Sequence, residues 1–122
     1  MPTIEVKDVS KTYRSGGRET TALVGVNLAL RQNEFVTLVG PSGCGKSTLL
    51  KIIGALVKPS RGGLTYDGKS IDRPQPNVGI VFQEPALLPW RSVIENILLP
   101  AEILGLHLAG AALRAGRASV KA

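Results

Sequence analysis

The chain has 122 residues, 43% of them hydrophobic, a net charge of +6 and one cysteine, which allows one domain with a modest core and excludes a disordered chain or an internal disulfide framework. The N-terminus Met1-Pro2-Thr3-Ile4-Glu5-Val6-Lys7 lacks the layout of a signal peptide, and Pro100, Glu102 and His107 interrupt the longest apolar stretches too early for a membrane span, so a soluble, cytosolic protein is expected. Half of the charge excess sits at the end: without Arg114, Arg117 and Lys121, twelve basic residues face nine acidic ones, and with only 4% aromatics no nucleic-acid partner is expected.

Residues 3–9 read as a first strand, with Ile4, Val6 and Val9 apolar, and Arg14 to Glu19 as a polar turn. Residues 20–30 return to strand, where Val26, Leu28 and Leu30 alternate with Asn27 and Ala29. Arg31-Gln32-Asn33-Glu34 is a tight turn in which Asn33 can take the left-handed conformation. The apolar run Phe35-Val36-Thr37-Leu38-Val39 predicts a buried strand, and Thr48 to Ile53 predicts a helix whose apolar stripe is Leu49, Ile52 and Ile53. Pro59 to Gly63 closes that helical region. Leu64-Thr65-Tyr66 then turns at Asp67-Gly68, a strong hairpin signal, into Lys69-Ser70-Ile71. Asp72 to Asn77 is loop, and residues 78–82 form another expected buried strand, ending at Gln83. Prolines bound the apolar loop Pro85–Trp90. Ser92 and Glu95 are spaced as a capping box, so a helix should start at about Val93 and be kinked or broken by Pro100. Residues 105–122 read as a degraded, frayed Ala/Gly/Arg tail with no acid to pair its arginines.

Between the strand at 35–39 and the helix lies Gly40-Pro41-Ser42-Gly43-Cys44-Gly45-Lys46-Ser47, followed by Thr48, a full match to G-x-x-x-x-G-K-S/T. Strand, glycine loop and helix start are the parts a phosphate site needs. Gly40, Gly43 and Gly45 let the backbone close on an anion, and successive N–H groups then make a nest at the positive end of a helix dipole. Lys46 adds a point charge for the outer phosphates. The Ser47 hydroxyl is a hard oxygen suited to Mg²⁺. Cys44 reads as a small tolerated side chain, alkylatable because Lys46 and a helix N-terminus favour its thiolate, with no neighbouring histidine to make it catalytic.

With these residues in view, the chain resembles the N-terminal half of an ATP-binding-cassette (ABC) transporter ATPase over about residues 3–104. Ser10-Lys11-Thr12-Tyr13 resembles the family's adenine-stacking segment, which would put Tyr13 on the base; the alternative is a tyrosine that caps a small apolar cluster at the strand end. Ala22 to Leu28 resembles the strand preceding the phosphate loop, and Gly40 to Thr48 its Walker A loop. Gly79-Ile80-Val81-Phe82-Gln83 resembles the Q-loop, whose glutamine meets Mg²⁺ and water. The segment Leu87 to Val93 with Glu95-Asn96-Ile97 is similar to bacterial importer ATPases for nitrate, sulfonate and taurine.

The resemblance implies an α/β P-loop NTPase core beside a small antiparallel β-subdomain, made of residues 3–30 and 64–71. It implies ATP and Mg²⁺ as cofactors, with Tyr13, Gly40, Pro41, Ser42, Gly43, Cys44, Gly45, Lys46, Ser47, Thr48 and Gln83 around them, and Ser47 and Gln83 on the metal. It also implies a membrane subunit docked on Pro85–Trp90, a second ATPase subunit, and a place on the inner face of the cell membrane. Trp90 reads two ways, as an internal packing residue or as an anchor for a partner helix.

The family's serine-glycine signature, its Asp-Glu strand end and its switch histidine have no counterpart here, and His107 is not equated with the last. No Asp or Glu follows Glu102. The chain therefore reads as truncated, with residues 1–104 as the domain half and 105–122 as tail. A fragment, a frameshifted reading frame and a degraded copy each account for this. Mg-ATP binding without turnover is expected, and an inert nucleotide-binding remnant or partner-docking module is the alternative.

Overall fold

The computed structural model describes residues 3–106. His107 and the basic residues of the tail lie outside them. The chain divides into two compact units, Met1–Ile80 and Val81–Ala122.

The first unit is built on a four-stranded antiparallel sheet. Its strands are β1 (Ile4–Ser15), β2 (Arg18–Leu30), β3 (Arg61–Tyr66) and β4 (Lys69–Ser70), in the order β2-β1-β3-β4. The expected turn at Arg14 to Glu19 is far tighter than its polarity suggested. Ser15 pairs with Arg18 and Arg14 with Glu19, so only Gly16 and Gly17 turn, both at positive φ (56° and 78°). Two consecutive left-handed residues are what a two-residue hairpin matched to strand twist requires. The Arg14–Glu19 ion pair at 2.6 Å then lies across the two strands. The Asp67-Gly68 hairpin forms as expected, again with positive φ at both residues (46° and 77°), and Asn33 is left-handed at φ 61°.

Val6 and Val9 are both fully buried although three residues apart, which plain alternation forbids. Asp8 resolves this. It sits at φ 48° in a bulge that shifts the register between Val6 and Val9, adding the residue needed to turn Val9 back inward. On the other side of β1, Gly62 faces the bulge so closely that a Cβ there would stand 2.3 Å from the Asp8 carbonyl oxygen. Residues 59–63 do close the helical region as expected, and Arg61, Gly62 and Gly63 also open β3, with Gly63 paired to Lys7 and Arg61 to Ser10.

The helix α1 (Lys46–Ile53) starts two residues earlier than its apolar stripe predicted. It packs on β1 and β2. Leu49 and Ile52 are buried with Val6, Val9, Leu23 and Leu64, and Ile53 lies against that cluster. At about 25 cal/mol per Å² of apolar surface, six buried side chains make a small core.

The apolar runs at 35–39 and 78–82 are not strands here, contrary to expectation. A buried strand needs a neighbour for its N–H and C=O groups, and no strand among the described residues pairs with either run. Phe35, Val39 and Val81 stay 92%, 90% and 99% exposed. Leu38 packs against the core cluster. Ile80 instead meets the end of α1, where a Cβ on Gly54 would lie 2.3 Å from its Cδ1.

In the second unit, Ser92 caps α2 (Val93–Ile103) with a complete capping box shared with Glu95. Pro100 does not break this helix. Its carbonyl accepts from Leu104 N at 3.1 Å, so the ladder closes beyond the ring. Before the helix, the Pro85–Trp90 loop is held by Asn96. Its amide accepts from Leu88 N (2.8 Å) and donates to the carbonyls of Leu88, Arg91 and Ser92 (3.2, 3.1 and 2.9 Å). Arg91 pairs with Glu102 at 2.7 Å, which keeps the guanidinium protonated still more firmly through that hydrogen bond. Trp90 is exposed. Among the described residues no helix is long and apolar enough to cross a membrane.

Candidate nucleotide site

The glycine loop leads into α1 as its pattern requires, but its three glycines serve different ends. Gly43 and Gly45 take positive φ, 78° and 99°. Gly40 does not. Its close neighbour is a side chain: a Cβ there would meet Cys44 Sγ at 2.7 Å unless that thiol rotated away. Gly45 has both constraints: a Cβ would lie 2.6 Å from the Ala22 carbonyl oxygen and 2.8 Å from Leu23 Cδ2. The loop is thus pressed against β2 where the helix begins.

Gly45 caps α1 without a side chain, no side-chain cap bond forms, and no acid occupies the first turn. The contrast with α2, closed by Ser92 and Glu95, is informative. The first N–H groups of a helix need partners, and at α1 the protein's own side chains supply none. An anion fits that end, and the charge of Lys46 adds to the attraction. Lys46 itself folds back over the loop, donating to the carbonyls of Gly40 and Pro41 at 2.5 and 2.7 Å and to Cys44 Sγ at 3.3 Å. Its hydrogen bond is the main reason the exposed Cys44 thiol is held below the usual cysteine range. Ser42 and Ser47 are exposed on the loop and the first helical turn.

The fold brings a distant residue to this place. Tyr13 on β1 sets its hydroxyl 3.5 Å from Thr48 Oγ1 and keeps 40% exposure. Lys11, quoted in the sequence only as part of the tyrosine's segment, holds its ammonium 5.1 Å from the centre of the Tyr13 ring. Lys11 and Asn96 are the residues that sequence reasoning passed over. Their signals were weak, one basic residue two positions before the tyrosine and one amide inside a helix. Gln83 lies in the second unit, exposed in a bend.

Among the described residues no three His, Cys, Asp or Glu side chains gather as a metal site.

Comparison with known proteins gives this arrangement a family. The sequence profile of the ABC transporter family matches residues 23–121. An uncharacterized ABC transporter ATP-binding protein of Methanocaldococcus jannaschii is 41% identical over 103 residues, covering 84% of this chain and 39% of that protein. The bicarbonate transport ATP-binding protein CmpD of Synechococcus elongatus is 45% identical over 101 residues, 83% of this chain and 36% of that protein. The nitrate import ATP-binding protein NrtC of the same species is 47% identical over 87 residues, 71% of this chain and 13% of that protein. Among solved structures, a dimeric ATP-binding cassette bound to ADP and Pi in a post-hydrolysis state superposes with a TM-score of 0.73 at 38% identity, covering 82% of this chain and 47% of that one. The chain thus spans less than half the length of these relatives, and its fold is part of the α/β P-loop cassette with its antiparallel subdomain. Phosphate loop, uncapped helix start and sheet architecture agree with the sequence match: this chain belongs to the ABC transporter family, as an N-terminal part of its ATP-binding domain.

Proposed function

We propose that the chain binds Mg-ATP as part of the energy-coupling subunit of an ABC importer for a small anion, such as nitrate, sulfonate, taurine or one of similar size. The observation that carries the reading is one meeting point within the first unit: an uncapped helix start, Lys46 over the glycine loop, and Tyr13 beside Thr48. Tyr13 takes the adenine. The backbone from Gly40 to Lys46, with Ser42 and Cys44 on its rim, takes the phosphates, and Lys46 exchanges its contacts with the loop carbonyls for phosphate oxygens. Ser47 is the protein's hydroxyl ligand for Mg²⁺ and Thr48 flanks it; for Gln83 a role toward metal and water rests on its likeness to the family's Q-loop glutamine alone. Bound ATP supplies the phosphoryl-transfer free energy that a transport ATPase couples to movement of its substrate.

Residues 1–104 are the N-terminal half of the nucleotide-binding domain, and 105–122 a tail to it. The anion class rests on the likeness of the Leu87–Ile97 segment to nitrate, sulfonate and taurine importers, and on relatives named for nitrate and bicarbonate. The Pro85–Trp90 loop, stiffened by prolines and tied to α2 by Asn96, presents exposed Leu87 and Trp90 to a membrane subunit. A second ATPase subunit completes the assembly, at the inner face of the membrane.

Calorimetric titration with Mg-ATP tests this. Lys46→Ala should weaken binding by about 1.5–3 kcal/mol, the scale of a hydrogen bond to a charged group, with circular dichroism unchanged. Equal affinities in the two proteins would refute the assignment.

A further inference from the structure

Tyr13 stands near the hairpin end of β1, where an exposed ring has few neighbours to hold it. The pairing of β1 with β3 stops at Ser10 opposite Arg61. Beyond it, the segment before β3 takes over the edge of β1. Ser60 N donates to the Ser10 carbonyl at 2.8 Å, and Thr12 N donates to Ser60 Oγ at 3.1 Å. Ser60 Oγ also lies 3.3 Å from the Thr12 carbonyl. Lys11 crosses the same boundary, its ammonium donating to the Lys58 carbonyl at 2.8 Å. That bond places the cation 5.1 Å from the centre of the Tyr13 ring, inside the roughly 6 Å reach of a cation–π contact.

We propose that Lys11 is a positioning residue for the nucleotide base: anchored on the Lys58 carbonyl, its ammonium covers one face of Tyr13, fixes the ring beside Thr48, and leaves the opposite face for adenine. The inference rests on the reading that Tyr13 meets the base. Its physical content is separate from that reading. A tyrosine on an exposed strand loses rotamer freedom when it binds, and a ring already held by a cation has less to lose. The anchor matters as much as the charge, because a free lysine chain would spread its ammonium over many positions. Lys11 acts on the base through Tyr13 and has no contact with the phosphate loop in this role, so its effect should follow the base and not the phosphates.

The experiment compares the full chain with Lys11→Met, Lys11→Gln, Lys11→Arg, Tyr13→Ala and the double variant Lys11→Met/Tyr13→Ala. Two neutral replacements are used so that misfolding of one, seen by circular dichroism, leaves the other. Without nucleotide, nuclear Overhauser contacts between the Tyr13 ring and the Thr48 side chain should be present in the parent and in Lys11→Arg, and lost in the neutral variants. With ligand, ATP and inorganic tripolyphosphate are titrated separately, and the ratio of their affinities isolates the base. That ratio should fall about two- to fivefold in the neutral variants, the range of an exposed cation–π contact, and recover in Lys11→Arg. Removing Lys11 in the Tyr13→Ala background should change it no further. Persistence of the Tyr13–Thr48 contacts in the neutral variants would overturn the positioning role. So would an unchanged ratio there when Tyr13→Ala lowers it. An unchanged ratio in Tyr13→Ala itself would instead overturn the base's contact with Tyr13, and with it this role for Lys11, while leaving phosphate binding by Lys46 standing.

Discussion

Gly45→Ala should be far more damaging than Gly43→Ala, although both replace a loop glycine at positive φ. The backbone cost is shared. At φ 78° and 99° a side chain costs about 1–3 kcal/mol in either position. The contacts differ. At Gly43 an added Cβ has nothing within 4 Å, whereas at Gly45 it meets the Ala22 carbonyl oxygen at 2.6 Å and Leu23 Cδ2 at 2.8 Å. The first neighbour is backbone of β2 and cannot rotate away. The second belongs to a buried core residue packed with Leu49 and Ile52. Overpacking of that kind costs about 1–3 kcal/mol more. Urea denaturation followed by circular dichroism reads the difference. With a slope of about 2 kcal/mol/M, the Gly45→Ala midpoint should lie about 0.5–1.5 M below that of Gly43→Ala. If Gly45→Ala does not fold while Gly43→Ala does, the same conclusion holds. Equal midpoints would show that the loop is not pressed on β2.

Lys46→Met should slow alkylation of Cys44 by iodoacetamide at neutral pH and move the pH at which the rate rises upward, because the hydrogen bond from Lys46 is the main cause of the lowered thiol pKa. Glu95 is held below the usual carboxylate range, chiefly by the backbone N–H of Ser92 and then by its hydroxyl. A carboxylate depressed on folding stabilises fully above its unfolded pKa and less as pH falls through the folded one. The helical signal of α2 should therefore weaken in acid, and Glu95→Gln, which removes the titrating carboxylate, should flatten that dependence; thermal scans at several pH values check it. Asn96→Ala removes the amide that holds Leu88, Arg91 and Ser92, so trypsin should cut after Arg91 several-fold faster than in the parent, and an unchanged rate would show that the prolines alone hold the loop.

Local rules were readable wherever the cause lies within a few residues. The Asp67-Gly68 hairpin, the left-handed Asn33, the stripe of Leu49 and Ile52, and the Ser92–Glu95 capping box all form as their chemistry dictates. The glycine loop leading into α1 was legible for the same reason, since its glycines, lysine and serine are contiguous in the chain. What the sequence left undetermined depends on contacts between distant segments. Residues 35–39 and 78–82 have the composition of buried strands, but a strand exists only when something pairs with it, and among the described residues nothing does. Gly40 looked like a residue chosen for backbone freedom, yet its φ is not positive, and what crowds it is the side chain of Cys44. The bulge at Asp8 that returns Val9 to the core depends on Gly62 lying against it, more than fifty residues away. Tyr13 and Thr48 are likewise remote in the chain and meet only because α1 packs across β1 and β2. Pattern along the chain determined which pieces could form; the partners available to each piece in three dimensions decided which did.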